Sequence, residues 1–397
     1  MRFTDMTWAG AGPFGTKLFS DFGAEVIKVE TSTHPDPVRL GGPFQDGVAG
    51  INRSGYFASR NSGKKSVSVN VKSEEGRQIV LDLVRESDVI SNNFGPGAMD
   101  RLGLSYEEVC KVKPDIIYLG MPMYGEGGPR SSLLGVGMTI SAMTSLMWLT
   151  AYGSDDPTGP GTHYPDHAAN PYHAAFAVAA ALRYKRRTGK GMKIDLSQVE
   201  STINFLGPQV LDYAFTGREP AQTGNRSLRH APHNIFHTSG EDEWVAIAVE
   251  SDAQWSSLSK IIGARGDPNT DRLASAAGRL REVDKVEDLV STWTSKRSAS
   301  DIVETLTAAR IPAARVATSR YLVEEDPDLA RRDYWQTVSH EELRNSVQSS
   351  PPYKIDGERV ELSAPPLFGQ DTAEVLSSIL GLSREEIAGL RDRDALK

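Results

Sequence analysis

The sequence predicts an α/β fold with a mostly parallel sheet, joined to a second and smaller unit. Three observations carry this expectation. Short apolar runs with strand spacing alternate with stretches of helical spacing through the first half of the chain, and strands separated by helices pair in parallel. A glycine turn links the first strand to the first helix. At 397 residues the chain also exceeds what one ordinary core accommodates, so two packed units are expected.

The opening runs strand "RFTDMTW", turn "GAGPFG", helix "TKLFSDFGA", strand "EVIKVE". Pro13 suits a helix start, where its missing N–H costs nothing, and Gly23 suits a helix stop. "SVSVNV" alternates as a strand, "SEEGRQIVLDLVRES" has helical spacing, and "DVISNN" and "DIIYLGM" are further short strands. "NPYHAAFAVAAALRYKRRTGKG" reads as a long helix with Asn170 as N-cap, Pro171 in first position, a basic end, and Gly189 and Gly191 as its stop. From "TGNRSLRHAPHNIF" to Ile311 a strand-like "EWVAIAVE" is followed by helices, which predicts a smaller α+β unit. Beyond Pro312 a proline-rich crossing leads into two short amphipathic helices. The resulting boundaries are 1–200 for a large domain, 225–311 for a small one, and 325–397 for a C-terminal segment.

The net charge of -8 argues against general affinity for nucleic acid, which needs a basic surface. A single cysteine allows neither an intrachain disulfide nor a thiolate metal cluster, and Cys110 among Leu104, Val109 and Val112 reads as a small buried hydrophobe. The start "MRFTDMTWAG" lacks a signal pattern, and "GVGMTISAMTSLMWLTAYG" carries Thr, Ser and Gly throughout, which suits a buried segment better than a membrane span. No membrane partner and a cytoplasmic location are therefore expected.

"WAGAGPFG" spells G-x-G-x-x-G with Gly10, Gly12 and Gly15, and Glu30 stands where a dinucleotide fold places its ribose-binding acid. Two readings compete: a nicotinamide-dinucleotide loop, or a tight strand-to-helix turn. The first needs a central, nearly all-apolar strand. Asp5 and Thr7 interrupt this one, and Trp8 stands where the pyrophosphate would approach. The turn is the better reading.

Five colinear blocks go further: "AGPFGTKLFSDFGAEVIKVE", "NSGKKSVSVNVKSEEGR", "NNFGPGAMDRLGLSYEEV", "PDIIYLGMPMYGEGGP" and "PDHAANPYHAAFAVAAALRYKRRTGKGMKIDLSQVE". Together they resemble the family III CoA-transferases, the group of the formyl-CoA, carnitine and benzylsuccinate enzymes, in order to about Glu200 and more weakly beyond. The resemblance implies a Rossmann-like large domain built from both chain ends, a smaller domain, and two interlocked protomers. A homodimer is the expectation, with a hetero-oligomer of related subunits as the alternative. It also makes the glycine loop the family's "AGP" turn, with no nicotinamide.

The family's nucleophilic aspartate maps onto Asp166 in "YPDHAAN". An aspartate there could also cap the following helix, but Asn170 already offers a cap. A carboxylate suits CoA transfer because it can attack a thioester to form an anhydride and then accept CoA as an enzyme thioester, conserving the activation with no cofactor beyond the CoA substrate. Succinyl-CoA is the donor the resemblance favours, with dicarboxylic or aromatic acids as its partners. The segment "TSGEDEW" is a candidate source of N–H groups for the developing oxyanion. An acidic protein must gather cations for the phosphates of CoA. Arg39, Lys64 and Arg101 match CoA-contacting positions in the family, as do Asn61, Asn93, Phe94 and Ala98. Two departures stand out: Gly95 where many relatives have arginine, and Leu134 where some have lysine. Arg226 or Arg229 could pair with a second substrate carboxylate.

Three rivals remain. An α-methylacyl-CoA racemase shares this fold, but its "GHD" histidine is Val136 here, so the second base that racemisation needs is missing. The histidines of "HYPDH", His173, and His230, His233 and His237 could hold zinc for a hydrolase; only one fits a helical spacing, His230 to His237 sits in a proline-interrupted loop, and carboxylate partners are not clearly arranged, so no metal site is expected. A catalytically silent subunit would be free to lose Asp166, which the chain retains.

Overall fold

The computed structural model describes residues 1–152, 157–264 and 271–397. Strands β1 (Arg2–Asp5), β2 (Glu25–Glu30), β3 (Lys65–Ser68), β4 (Val89–Asn92), β5 (Ile117–Gly120) and β6 (Met192–Asp195) form one all-parallel sheet in the order β3-β2-β1-β4-β5-β6. Parallel strands buried on both faces alternate between two cores. Val26, Val89, Ile117 and Leu119 point to one, with Ala174, Val178 and Ala181 of helix Asn170–Thr188. Ile27, Val29, Ile90 and Tyr118 point to the other, with Ile79 and Leu83 of helix Glu74–Arg85 and Val375 and Leu376 of helix Thr372–Leu380. Fully burying each such side chain contributes about 1.5–3 kcal/mol, so residues from near both chain ends stabilise the same sheet.

β1 lies at the centre of this sheet, contrary to the expectation from Asp5 and Thr7. Asp5 is tolerated there because every demand of its carboxylate is met. Lys64 Nζ lies 3.0 Å from Oδ2, Thr16 Oγ1 2.8 Å from the same oxygen, and Ser91 and Thr7 donate to Oδ1. Burial alone would raise the carboxyl, but Lys64 and then Lys28 outweigh it and hold it below its ordinary value. A buried ionised group is acceptable only when paired in this way.

Two compact units divide the described residues. The larger comprises Met1–Leu146, Gly159–Gly217 and Asp328–Lys397; the smaller, Met147–Thr158 and Arg218–Pro327. In the smaller, β7 (His233–His237), β8 (Trp244–Ala248) and β9 (Ala313–Arg315) form an antiparallel sheet around Phe236, Val245, Ile247, Trp255, Val290 and Leu306. This unit therefore extends beyond 225–311 and recruits a segment from before the long helix. In the larger, a hairpin of β10 (Trp335–His340) and β11 (Arg344–Ser349) precedes the terminal helices. The last residues are stapled to the β2 and β3 ends: Ser32 N–H donates to the Lys397 carbonyl at 2.9 Å, and Asn70 N–H to that of Ala395 at 2.8 Å.

The uncharged stretch after Gly135 becomes helices Gly137–Met143 and Leu146–Leu149. Ile140 and Ser141 are buried, but Val136, Met138 and Trp148 are exposed, so the expected burial is only partial; its last residue, Gly153, lies outside the described residues. Among the described residues no helix is long and apolar enough to cross a membrane. Cys110 is half-buried against the core.

Candidate active site

Asp166 sits in the short helix Tyr164–His167, just before the long helix Asn170–Thr188, and is 8% exposed. It caps neither helix: Ala169 holds the N-cap position of the long one, and no side-chain cap bond is formed. The expectation that Asn170 caps is corrected too, since its amide donates to Gln198 Oε1 at 3.2 Å. Burial raises the Asp166 carboxyl to about 6, against the opposing pull of His163, the Gly137 N–H and Arg60. At neutral pH it is thus mostly ionised, yet poorly solvated and more basic than an ordinary aspartate. Those are the properties of a carboxylate nucleophile.

Two glycines make room for it. A methyl group on Gly10 would lie 2.8 Å from Asp166 Cβ and 2.9 Å from the Tyr56 hydroxyl; one on Gly137 would lie 2.8 Å from Asp166 Oδ2. The other glycines of the loop serve packing. At Gly12 a methyl would sit 2.5 Å from Thr7 Cβ, and at Gly15 3.3 Å from the Pro171 carbonyl of the long helix. The G-x-G-x-x-G spacing thus answers to a tight turn, a close helix and a buried carboxylate. Asn93 clamps the loop, accepting from Trp8 N–H at 2.8 Å and donating to the Trp8 carbonyl at 2.7 Å. Asp36, ion-paired to Lys28 at 2.9 Å, accepts from Ala9 N–H, which helps hold Ala9 in the left-handed region at φ 61°.

Sequence reasoning missed the groups on the other side of Asp166. Arg60, from helix Gly55–Asn61, donates to His167 Nδ1 at 2.8 Å and lies over the Phe14 ring at 4.4 Å. Arginine has only donors, so the His167 proton sits on Nε2. Burial, then Arg60 and His163, hold His167 down to about 4 and keep it neutral. His163 Nδ1 stands 4.0 Å from Asp166 Oδ2.

Phe94, Ala98 and Arg101 meet in a cavity of about 540 Å³ at the carboxyl ends of β1 to β4, where open α/β sheets bind ligands. Trp8 and His34 lie with ring centres 5.0 Å apart, and Trp8 meets Phe94 edge-on at 5.0 Å, giving this cavity an aromatic wall. Lys72 also lines it, a cation that no pattern in the sequence marked. The structure puts Arg39 and Lys64 elsewhere. Arg39 is fully buried and bidentate to Glu30, at 2.8 and 2.7 Å, with its remaining group on Ile51 and Asn52. Lys64 spends its three N–H groups on Asp5, the Pro13 carbonyl and Thr16. Both are neutralised by buried carboxylates, which corrects their reading as phosphate ligands. Asn61 is also fully buried and donates to the Phe57 carbonyl. The same pairing occupies Glu30, the supposed ribose acid.

Gly95 and Leu134 prove to be one feature, because a methyl on Gly95 would sit 3.0 Å from Leu134 Cδ2. The loop from Leu134 to Gly137 thereby touches the cavity rim at one end and Asp166 at the other. In the small unit, Arg226 is held by Glu287 and Asp284, and the Gly240 N–H of "TSGEDEW" is taken by Thr238 Oγ1. The N–H group found beside Asp166 is that of Gly137. His173 meets Ser201, His233 the Asn225 carbonyl and His237 the Trp244 ring. Among the described residues no three His, Cys, Asp or Glu side chains form a group able to hold a metal ion.

A Rossmann-type sheet, a cavity at its carboxyl edge and a buried aspartate beside a glycine loop define the class, and the chain matches CoA-transferase family III over residues 1–372. The protein belongs to that family. It is 32% identical over 308 residues to an acetyl-CoA:oxalate CoA-transferase of Acetobacter aceti, covering 78% of this chain and 77% of that one. It is 27% identical to a succinate–glutarate CoA-transferase of Agrobacterium fabrum, covering 97% and 96%. A CaiB/BaiF family protein from Brucella suis superposes with a TM-score of 0.87 at 27% identity, covering 96% of this chain and 98% of that one.

Proposed function

We propose that this protein moves CoA from an acyl-CoA, with succinyl-CoA the favoured donor, to a dicarboxylic acid through covalent intermediates on Asp166. The observation that carries the reading is the buried Asp166 carboxylate, raised to about 6, with two glycines at which a methyl group would collide with it and one backbone N–H beside it. Two reported relatives are named for oxalate and for succinate and glutarate, all dicarboxylates.

An Asp166 oxygen attacks the donor thioester carbonyl, the C–S bond breaks, and CoA leaves as thiolate from an acyl–aspartyl anhydride. The thiolate attacks Asp166 Cγ, releasing the donor acid as carboxylate and leaving an aspartyl-CoA thioester. The acceptor carboxylate attacks the same carbon, expelling thiolate, and the thiolate then takes the acceptor acyl group and restores Asp166. Each step exchanges one activated acyl bond for another, so no metal or redox group is needed. The aromatic cavity suits the adenine of CoA, with Arg101 and Lys72 for its phosphates.

The protein acts in the cytoplasm as a dimer in this reading. Helix Gly207–Thr216 has no buried residue, and its Leu211 and Phe215 are 53% and 84% exposed. A ten-residue helix does not persist on propensity alone, and this uncovered apolar face supports pairing with a second copy of the chain. Incubation with succinyl-CoA followed by hydroxylamine should leave a hydroxamate on Asp166 by peptide mass spectrometry. An adduct on another carboxylate, or near-normal turnover by Asp166→Ala, refutes the mechanism.

A further inference from the structure

Arg60 is a half-buried cation for which, among the described residues, no carboxylate lies within ion-pair distance. The fully buried guanidiniums among the described residues are matched: Arg39 with Glu30, Arg279 with Asp252. Arg60 is instead held by a ring beneath it and by His167 Nδ1, while its Nε–H is buried with no hydrogen-bond partner among the described residues. A desolvated cation with an unspent donor is unfavourable until an anion arrives. The guanidinium also faces the Tyr56 hydroxyl, and that hydroxyl stands beside Asp166 across Gly10. Arg60 and Asp166 therefore flank one tyrosine hydroxyl, and each feels the other's charge.

From this placement we infer that Arg60 binds the second carboxylate of a dicarboxylic substrate while the first reacts at Asp166. The inference rests on the reading that Asp166 is acylated, and it names the residue that selects the acid. Acylation removes the charge of Asp166, the nearest anion in the site. At that stage a monocarboxylate leaves Arg60 uncompensated, whereas a dicarboxylate supplies the missing charge and an acceptor for the idle Nε–H. Phe14 and His167 fix the guanidinium, so little freedom is lost when the acid docks.

The test uses the full-length enzyme with acetyl-CoA as donor. Acceptors are matched in length: succinate against butyrate, glutarate against valerate, and succinate against its monomethyl ester. Wild type should favour each free dicarboxylate. Arg60→Gln, which keeps a donor for His167 without the charge, should lower the dicarboxylate-to-monocarboxylate ratio of kcat/KM at least tenfold, mainly through KM. Arg60→Lys should lose less. Should Arg60→Gln not fold, Arg60→Lys against wild type carries the same comparison. An unchanged ratio, with both acids slowed alike, overturns the assignment and makes Arg60 a support for Asp166 alone. Hydroxamate trapping from acetyl-CoA in wild type separates the two ideas: no adduct on Asp166 defeats the covalent reading, while an adduct with an unchanged ratio defeats only the role of Arg60.

Discussion

Replacing Asp166 by asparagine should abolish transfer and, at neutral pH, make the protein more stable. The carboxyl rises from 3.8 to about 6 on folding, principally because it is buried. In the pH range between those values the folded state binds more protons than the unfolded one, so stability falls as pH rises. The contribution is fully present below pH 3.8 and is lost as pH passes through 6. Two units at 1.36 kcal/mol each make the cost at pH 7 about 3 kcal/mol. Asparagine keeps the shape and carries no charge, so the variant escapes this cost. At roughly 2 °C per kcal/mol for a unit of this size, Asp166→Asn should melt about 5 °C above wild type at pH 7.5 and within about 1 °C of it near pH 4. Thermal melts of both proteins from pH 4 to 8 read the difference directly. A constant gap across that range, or a variant less stable at pH 7.5, would show that Asp166 is not the poorly solvated carboxylate described above.

In single-turnover acylation by an acyl-CoA, the rate should rise with pH through an inflection near 6, because only ionised Asp166 attacks; a flat profile from pH 5 to 8 excludes it as the nucleophile. Gly137→Ala places a methyl 2.8 Å from Asp166 Oδ2, and a misplacement of this kind should cost on the order of a hundredfold in kcat; turnover within threefold of wild type contradicts that packing. Lys64→Met leaves Asp5 buried and unpaired, so unfolding in urea should show a loss of about 3–5 kcal/mol. Weaker CoA binding with unaltered stability would instead restore Lys64 as a phosphate ligand. Lys72→Ala and Arg101→Ala should each weaken CoA affinity about tenfold in a binding titration while leaving stability intact.

Much of the fold was legible because it rests on local patterns. Alternating apolar runs place the strands of the sheet, and Gly189 ends the long helix in the left-handed conformation, with φ 72°. The meaning of the glycine loop was not legible. Gly10 owes its identity to Asp166, far along the chain, and spacing alone cannot separate that contact from a pyrophosphate. Arg39 and Lys64 failed for a related reason: a basic residue in a matched block reads the same whether it faces a phosphate or a buried carboxylate, and their partners Glu30 and Asp5 lie on neighbouring strands. Arg60 left no sequence signal, because its distinguishing property is a missing counter-ion. The coupling of Gly95 to Leu134 needed the two loops in one frame.

The stapling of the final residues to Ser32 and Asn70 has a temporal consequence. Thr31, Thr33, Asn70 and Lys72 line the cavity at the sheet edge, yet the backbone between and beside them is tied to carbonyls of residues 395 and 397. On a ribosome, the residues that form this wall emerge early and those that fasten it emerge long after them. A nascent chain can assemble its central strands long before this wall is fastened, because residues 395 and 397 must both have emerged first. A chain cut before Ala395 should keep Asp166 in place and, in the function proposed above, bind CoA more weakly.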